Sequence, residues 1–198
     1  MFTGIIQQLG IFRGYGRGKQ ELIVEVSAGF PTLPLGESVA VDGACLSLVR
    51  TEGSRLAFDI SRETAEKTTL GSLRTGAKLN LETSLTLQSL LSGHLLLGHI
   101  DGRGRVLRLT ERRPGRRLTI SFPPELKPYI VPKGSIAVNG VSLTVAELRA
   151  KSLDVELVPI TIGKSNLADL KRGQEVNLEC DILGKYVYNW VSQGRSRG

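Results

Sequence analysis

Cysteine, aromatic residues and long apolar runs are all scarce in this chain of 198 residues, and each shortage excludes something. Two cysteines, Cys45 and Cys180, are too few for a disulfide-built secreted module and read as free thiols. Aromatic residues make up only 5% of the chain, which leaves little for the platforms on which proteins stack single-stranded bases. No stretch approaches the ~18 consecutive apolar residues of a membrane span, and Met1, Phe2, Thr3, Gly4, Ile5 and Ile6 lack the basic region and apolar run of a leader. These features read as a soluble, cytoplasmic protein. What is abundant is glycine, 23 residues, within an ordinary composition of 40% hydrophobic and 23% charged residues. Such a chain packs a core, and so many glycines suit short strands and tight turns better than a helix bundle.

The sequence repeats itself. Ser38-Val39-Ala40-Val41-Asp42-Gly43-Ala44-Cys45-Leu46-Ser47-Leu48 returns as Ser135-Ile136-Ala137-Val138-Asn139-Gly140-Val141-Ser142-Leu143-Thr144-Val145, a displacement of 97 residues (140 − 43). The same displacement carries Thr64 to Thr161, Lys67 to Lys164, and Asn80-Leu81-Glu82 to Asn177-Leu178-Glu179. Chance likeness between β-rich stretches drifts in register, so the chain is read as a duplicated domain. In each copy β-branched runs are interrupted by Asp-Gly or Asn-Gly, the dipeptides of two-residue hairpin turns. Short strands in a small unit hide their edges by closing, so two similar small barrels are expected.

Carried to the start, the displacement pairs Phe2 with His99 and places the linker near residues 85 to 97. The expected division is 1–90, 91–183 and a tail of 184–198. From just before that tail, Leu183, Tyr186, Val187, Trp190 and Val191 fall on one helical stripe, which fits its own barrel or a partner subunit. Arg103, Arg105, Arg108, Arg112, Arg113, Arg116 and Arg117 crowd around Pro114-Gly115. A solvated hairpin is preferred there to a nucleic-acid patch, because aromatics to read bases are missing. His94 and His99, five residues apart, are expected on opposite faces of a strand with no further ligands, so no metal site is read and His94 is taken to shape the inter-barrel turn.

Twin barrels offer twin pockets, and two copies of one ligand are the simplest reason for them. The opening Met1-Phe2-Thr3-Gly4-Ile5-Ile6, Asp42-Gly43-Ala44-Cys45-Leu46-Ser47, Ser92-Gly93-His94 through His99-Ile100-Asp101-Gly102, and Asn139-Gly140-Val141-Ser142-Leu143-Thr144-Val145 together resemble the riboflavin synthase and lumazine protein family. The resemblance spans residues 1 to about 187. It implies an all-β chain of two tandem six-stranded Greek-key closed barrels with a short C-terminal helix. It also implies four-carbon transfer between two molecules of 6,7-dimethyl-8-ribityllumazine, giving riboflavin and a ribitylamino-pyrimidinedione without metal or redox cofactor. The implied assembly is a homotrimer in which barrels of different subunits face each other across the active site. A lumazine synthase capsid is a further candidate partner; nucleic acid and membrane are not.

Carried over by position, the resemblance implies lumazine contacts in the first barrel from Gly4, Ile5, Ile6, Cys45, Leu46, Ser47, Asp59, Ile60, Ser61, Arg62, Glu63 and Thr64. In the second barrel it implies Gly98, His99, Ile100, Lys133, Ser142, Leu143, Thr144, Glu156, Leu157, Val158, Pro159, Ile160 and Thr161. At Ile160 the family usually carries a polar residue. The implied catalytic set is Cys45, Ser38, His99, Phe2, Thr144 and Asp181. His99 is the candidate base for the C7 methyl proton of one lumazine, and Cys45 or Ser38, or water they hold, the candidate to add at C7 of the other. A barrel protein that only carries a lumazine or flavin, and a basic nucleic-acid-binding barrel, are the alternatives.

Overall fold

The computed structural model describes residues 1–195, with side chains through residue 193. Six strands form the first half: β1 (Gln8–Gly16), β2 (Glu21–Glu25), β3 (Ser38–Val41), β4 (Ala44–Glu52), β5 (Arg55–Asp59) and β6 (Lys78–Thr83). Six more follow: β7 (Gly102–Arg112), β8 (Gly115–Ser121), β9 (Ser135–Val138), β10 (Val141–Leu148), β11 (Ser152–Leu157) and β12 (Glu175–Cys180). Both sets close into antiparallel barrels with matching strand order, β1-β2-β5-β4-β3-β6 and β7-β8-β11-β10-β9-β12, the latter read around the ring. Closure removes the free edges that strands this short would otherwise expose. Each barrel bends where its register slips, at Phe12/Gly14 and Leu48/Arg50 in one and at Val106/Arg108 and Val145/Glu147 in the other. Bulges at equivalent places are how both sheets acquire the curvature to close.

Alternation along the strands sends Phe12, Leu22, Val39, Leu48, Phe58 and Leu81 into one core and Val106, Leu118, Ile136, Val145, Val155 and Leu178 into the other. Short helices bridge β5 to β6 and β11 to β12: α1 (Arg62–Lys67) and α2 (Pro159–Lys164). The terminal helix α3 (Ile182–Arg195) rests on the second barrel through Tyr188, whose ring meets Tyr129 edge-on at 5.3 Å, and through Lys185, 2.7 Å from Asp101. The last residues of the expected tail, 196–198, lie outside the described residues.

The hairpin dipeptides meet at the centre. Asp42-Gly43 and Asn139-Gly140 all have positive φ, the geometry of a type I′ turn. The two turns abut so closely that a Cβ on Gly43 would fall 2.7 Å from the amide nitrogen of Gly140, and one on Gly140 equally close to that of Gly43. Around them runs a buried polar lattice. Asn80 Nδ2 donates to the carbonyl of Asn139 at 2.8 Å and Asn177 Nδ2 to that of Asp42 at 2.9 Å, so each barrel caps the other's turn.

The arginine run lies on the β7–β8 hairpin, where Arg103 and Arg105 pair with Glu175, Arg112 and Arg117 with Glu156, and Arg116 with Glu111. Most of this positive charge is engaged by carboxylates of its own barrel. His94 and His99 do not sit on a strand; both lie in the irregular segment before β7, so the expectation of opposite strand faces is corrected.

Candidate ligand-binding site

The opening segments of the two copies are exchanged. Gly4, with φ 79°, lays its carbonyl on the amide of Ser142 at 2.9 Å, and Gly98, with φ 77°, lays its own on the amide of Cys45 at 2.9 Å. Ile6 is buried in the core of the second barrel, and Ile100 packs on the core of the first. Each barrel is thus overlaid by an arm belonging to the other copy. The expected grouping of Gly4, Ile5 and Ile6 with the first barrel, and of Gly98, His99 and Ile100 with the second, is therefore reversed.

Buried carboxylates fasten both arms. Glu82 accepts from the amides of Thr3 and Gly4 at 2.7 and 2.9 Å and from the Thr3 hydroxyl at 2.7 Å. Glu179 accepts from the amides of Leu97 and Gly98 at 2.8 and 3.2 Å. Burial raises both carboxyls, that of Glu179 to about 7. The arms thus correspond with a displacement of 94 (98 − 4), and Phe2 is matched by Leu96 rather than His99. Phe2 and Leu96 exchange backbone hydrogen bonds of 2.8 and 3.0 Å, and their side chains pack with Ala40 and Ala137 between the barrels.

Arm and barrel together make two matched clefts. One, of about 270 Å³, is lined by Ala44, Cys45, Glu63, Thr64, Lys67, Thr68, Gly98, His99 and Ile100. The other, of about 180 Å³, is lined by Val141, Ser142, Ile160, Thr161, Lys164, Ser165, Gly4, Ile5 and Ile6. Position for position these are the same places in the fold. Three substitutions change their chemistry: Cys45 against Ser142, Glu63 against Ile160, and His99 against Ile5. The first cleft holds a thiol, an imidazole and a Glu63–Lys67 pair at 2.6 Å, whereas the second is largely apolar. Both are smaller than the ~300 Å³ in which a drug-sized ligand is usually enclosed, so neither cleft alone encloses one.

Of the expected site residues, Cys45, Glu63, Thr64, Gly98, His99 and Ile100 meet in one cleft, and Gly4, Ile5, Ile6, Ser142, Ile160 and Thr161 in the other. Ser47 and Thr144 follow Cys45 and Ser142 on the same faces of β4 and β10, exposed, with Ser38 paired to Ser47 across β3. Leu46, Ile60, Leu143 and Leu157 point into the cores. Ser61 caps α1 by accepting from the amide of Thr64 at 3.0 Å, Arg62 pairs with Glu66, and Asp59 lies 3.4 Å from Arg17. Glu156 is held by Arg117, Val158 and Pro159 open α2, and Lys133 stands exposed at a left-handed turn where the first copy has Gly36. Asp181 accepts from the amide of Leu183 at the start of α3 and lines neither cleft, and Phe2, 1% exposed, lies among Ala40, Leu96 and Ala137. Lys67 and Lys164, which line the clefts, and Glu82 and Glu179, which fasten the arms, are identities between copies, yet nothing in the sequence alone gives them these places. His94, whose Nδ1 is 2.7 Å from the Ser142 hydroxyl, gives no such signal.

Closed twin barrels with an exchanged arm over each of two matched clefts define a duplicated small-molecule-binding protein. The lumazine binding domain family matches residues 3–84 and again 97–181, and the chain belongs to it, alongside riboflavin synthases and lumazine protein. It is 37% identical over 196 residues to the riboflavin synthase of Chlamydia pneumoniae, covering 98% of this chain and 96% of that one. To the riboflavin synthase of Actinobacillus pleuropneumoniae it is 35% identical over 193 residues, covering 96% and 90%. Among solved structures, LumP complexed with riboflavin superposes with a TM-score of 0.81 at 30% identity, covering 91% of this chain and 99% of that one. LumP complexed with 6,7-dimethyl-8-(1'-D-ribityl) lumazine gives 0.79 at 28% identity over the same shares.

Proposed function

We propose that the protein is a riboflavin synthase, taking two molecules of 6,7-dimethyl-8-ribityllumazine to riboflavin and 5-amino-6-(D-ribitylamino)uracil. The observation that carries this reading is the pair of clefts built from equivalent positions but unequal in chemistry. Like molecules bound in unlike surroundings become donor and acceptor. The four-carbon unit leaves one and joins the other, so the two products together contain the atoms of the two substrates and no oxidant is needed. His99 in the Cys45 cleft is the group to take the C7 methyl proton, and Cys45, or water beside it and Ser38, the group to add at C7 of the second molecule. Thr64 and Thr161 offer hydroxyls at matching places to the polar edge or ribityl chain. Holding two substrates face to face supplies much of the acceleration, since orientation is worth about 7–11 kcal/mol.

The open face of each cleft calls for a second barrel to cover it. In the proposed homotrimer the Cys45 cleft of one subunit faces the Ser142 cleft of the next. The α3 stripe supports such an assembly, for Leu183, Tyr186, Val187 and Trp190 are 69, 69, 63 and 81% exposed. The division into units of 1–90 and 91–183 with a tail for oligomerisation belongs to the same proposal, each unit lending its arm to the other. No helix among the described residues is long and apolar enough to cross a membrane, which accords with a cytoplasmic biosynthetic enzyme.

A non-catalytic carrier is the second reading, favoured by the similarity to LumP in complex with riboflavin and with the lumazine. Incubating the pure protein with 6,7-dimethyl-8-ribityllumazine separates the two. Flavin absorbance that grows with time, and slows in Cys45→Ala and His99→Ala, supports the synthase; tight binding with no new flavin selects the carrier.

A further inference from the structure

The linker that joins the barrels passes only one of the two arms, and there it alters the chemistry of one cleft. Gly93 and His94 run beside Thr3 and Gly4, where the amide of His94 donates to the carbonyl of Thr3 at 3.1 Å. The imidazole, 8% exposed, then sets Nδ1 2.7 Å from Ser142 Oγ, while its Nε2 is buried with no partner among the described residues. At the corresponding place in the other cleft no side chain among the described residues is hydrogen-bonded to the Cys45 thiol. The duplication matches barrel, arm and carboxylate fastening, but the linker gives an imidazole to Ser142 alone.

Burial holds the ring in its neutral form, against an opposing pull from Asp181. A neutral imidazole carries its proton on one nitrogen only. On Nε2 that proton would be a buried N–H without an acceptor, which costs more than an unpaired lone pair. On Nδ1 it has the Ser142 oxygen in line. The serine is fixed as well: its amide is bound to Gly4, and a Cβ on Gly4 or Gly93 would fall 2.6 or 3.0 Å from Ser142 Cβ. A hydroxyl whose oxygen accepts from an imidazole keeps its own proton free.

We propose that His94 is a positioning residue that makes Ser142 a hydrogen-bond donor into its cleft, selecting there a heterocycle that presents a ring nitrogen or carbonyl oxygen. The proposal rests on the ligand-binding reading above and deepens it: one cleft donates through a hydroxyl preset by His94, the other offers a thiol, and the difference orients two identical ligands unequally.

Two measurements test it. In protein labelled with ¹⁵N at histidine, the imidazole spectrum of His94 near neutral pH is expected to show Nδ1 protonated and Nε2 bare; the opposite tautomer overturns the proposal. In fluorescence titrations with the lumazine, His94→Asn, whose amide nitrogen takes the place of Nδ1, is expected to bind as the unaltered protein does. His94→Gln, whose amide lies at the place of Nε2, is expected to lose about five- to tenfold at one of two sites, as for one lost hydrogen bond. Adding Ser142→Ala to His94→Gln is expected to bring no further loss, because the two residues act as a unit. Equal behaviour of the Asn and Gln variants, or losses that multiply in the double variant, overturns the proposal. Unaltered protein that binds no lumazine would overturn the functional reading itself, a distinguishable result.

Discussion

Replacing Asp42 by Asn restores at the first hairpin the residue that the second already uses, and the duplicate copy serves as the control. Asp42 Oδ1 accepts from the amide of Asn80 at 2.7 Å and from Asn166 Nδ2 at 2.9 Å; Asn139 Oδ1 accepts from the amide of Asn177 at 2.8 Å in the equivalent place. An amide therefore fits this bond. The carboxylate differs in carrying a charge into a site only 3% exposed, and burial pushes its pKa from 3.8 up to about 7. The folded state thus holds a proton that the unfolded chain releases. For this group stability is greatest below about pH 4 and is lost as pH rises through about 7. At about 1.4 kcal/mol for each pKa unit the loss comes to about 4 kcal/mol, an upper value because the surrounding amides relax. Asp42→Asn lacks this loss. Urea unfolding at fixed protein concentration, from pH 4.5 to 8, should show the variant gaining on the unaltered protein as pH rises, by up to that amount. Glu179 titrates in the same window but is common to both proteins and cancels in the difference. A gap that stays constant across the range would refute the assignment of a buried, charge-averse carboxyl at the barrel junction.

Gly98→Ala would bring a Cβ to 2.5 Å from Cys45 Cβ at a φ of 77°. Overpacking and the left-handed backbone together cost about 2–4 kcal/mol. Calorimetric titration should lose the Cys45 site and keep the other, and Gly4→Ala should do the reverse. Arg149→Met removes two hydrogen bonds of 2.9 and 3.1 Å to Asp154, which is 1% exposed. It is expected to lower unfolding stability by about 2 kcal/mol, since Arg117 at 3.5 Å still faces that carboxylate. Trp190→Asp places a charge on the exposed stripe of α3 and, if the proposed trimer forms through it, should reduce the sedimenting mass from three chains to one; an unchanged mass would remove α3 from the assembly.

The barrels were legible in the sequence because nothing is inserted between Ser38 and Glu82 relative to Ser135 and Glu179, so one displacement served for strands, turns and helices alike. Asp42-Gly43 and Asn139-Gly140 marked the turns because positive φ at two successive residues narrows the choice of dipeptide. The arms depart from that displacement for a reason of the same kind. Tyr15 and Leu22, partners on β1 and β2, are seven apart (22 − 15), whereas Leu109 and Leu118 are nine apart (118 − 109). One further residue enters between β8 and β9. Loops absorb such insertions freely, so a displacement of 97 in the barrels becomes 94 in the arms. Exchange itself leaves no mark in one dimension: Gly4-Ile5-Ile6 and Gly98-His99-Ile100 carry the same apolar anchor whichever core receives it. For His94 the sequence suggests only the shaping of the inter-barrel turn, because its contact with Ser142 joins residues 48 apart.

In the proposed assembly each chain holds two like ligands in unlike clefts, which confront each other between subunits. A crystal structure with an unreactive lumazine analogue tests it most directly. One analogue is expected against Cys45, Thr64 and His99 and another against Ser142, Thr161 and Ile5, the two facing each other across a subunit boundary. A single occupied cleft per chain, or two occupied clefts that open away from one another in the assembly, would contradict it.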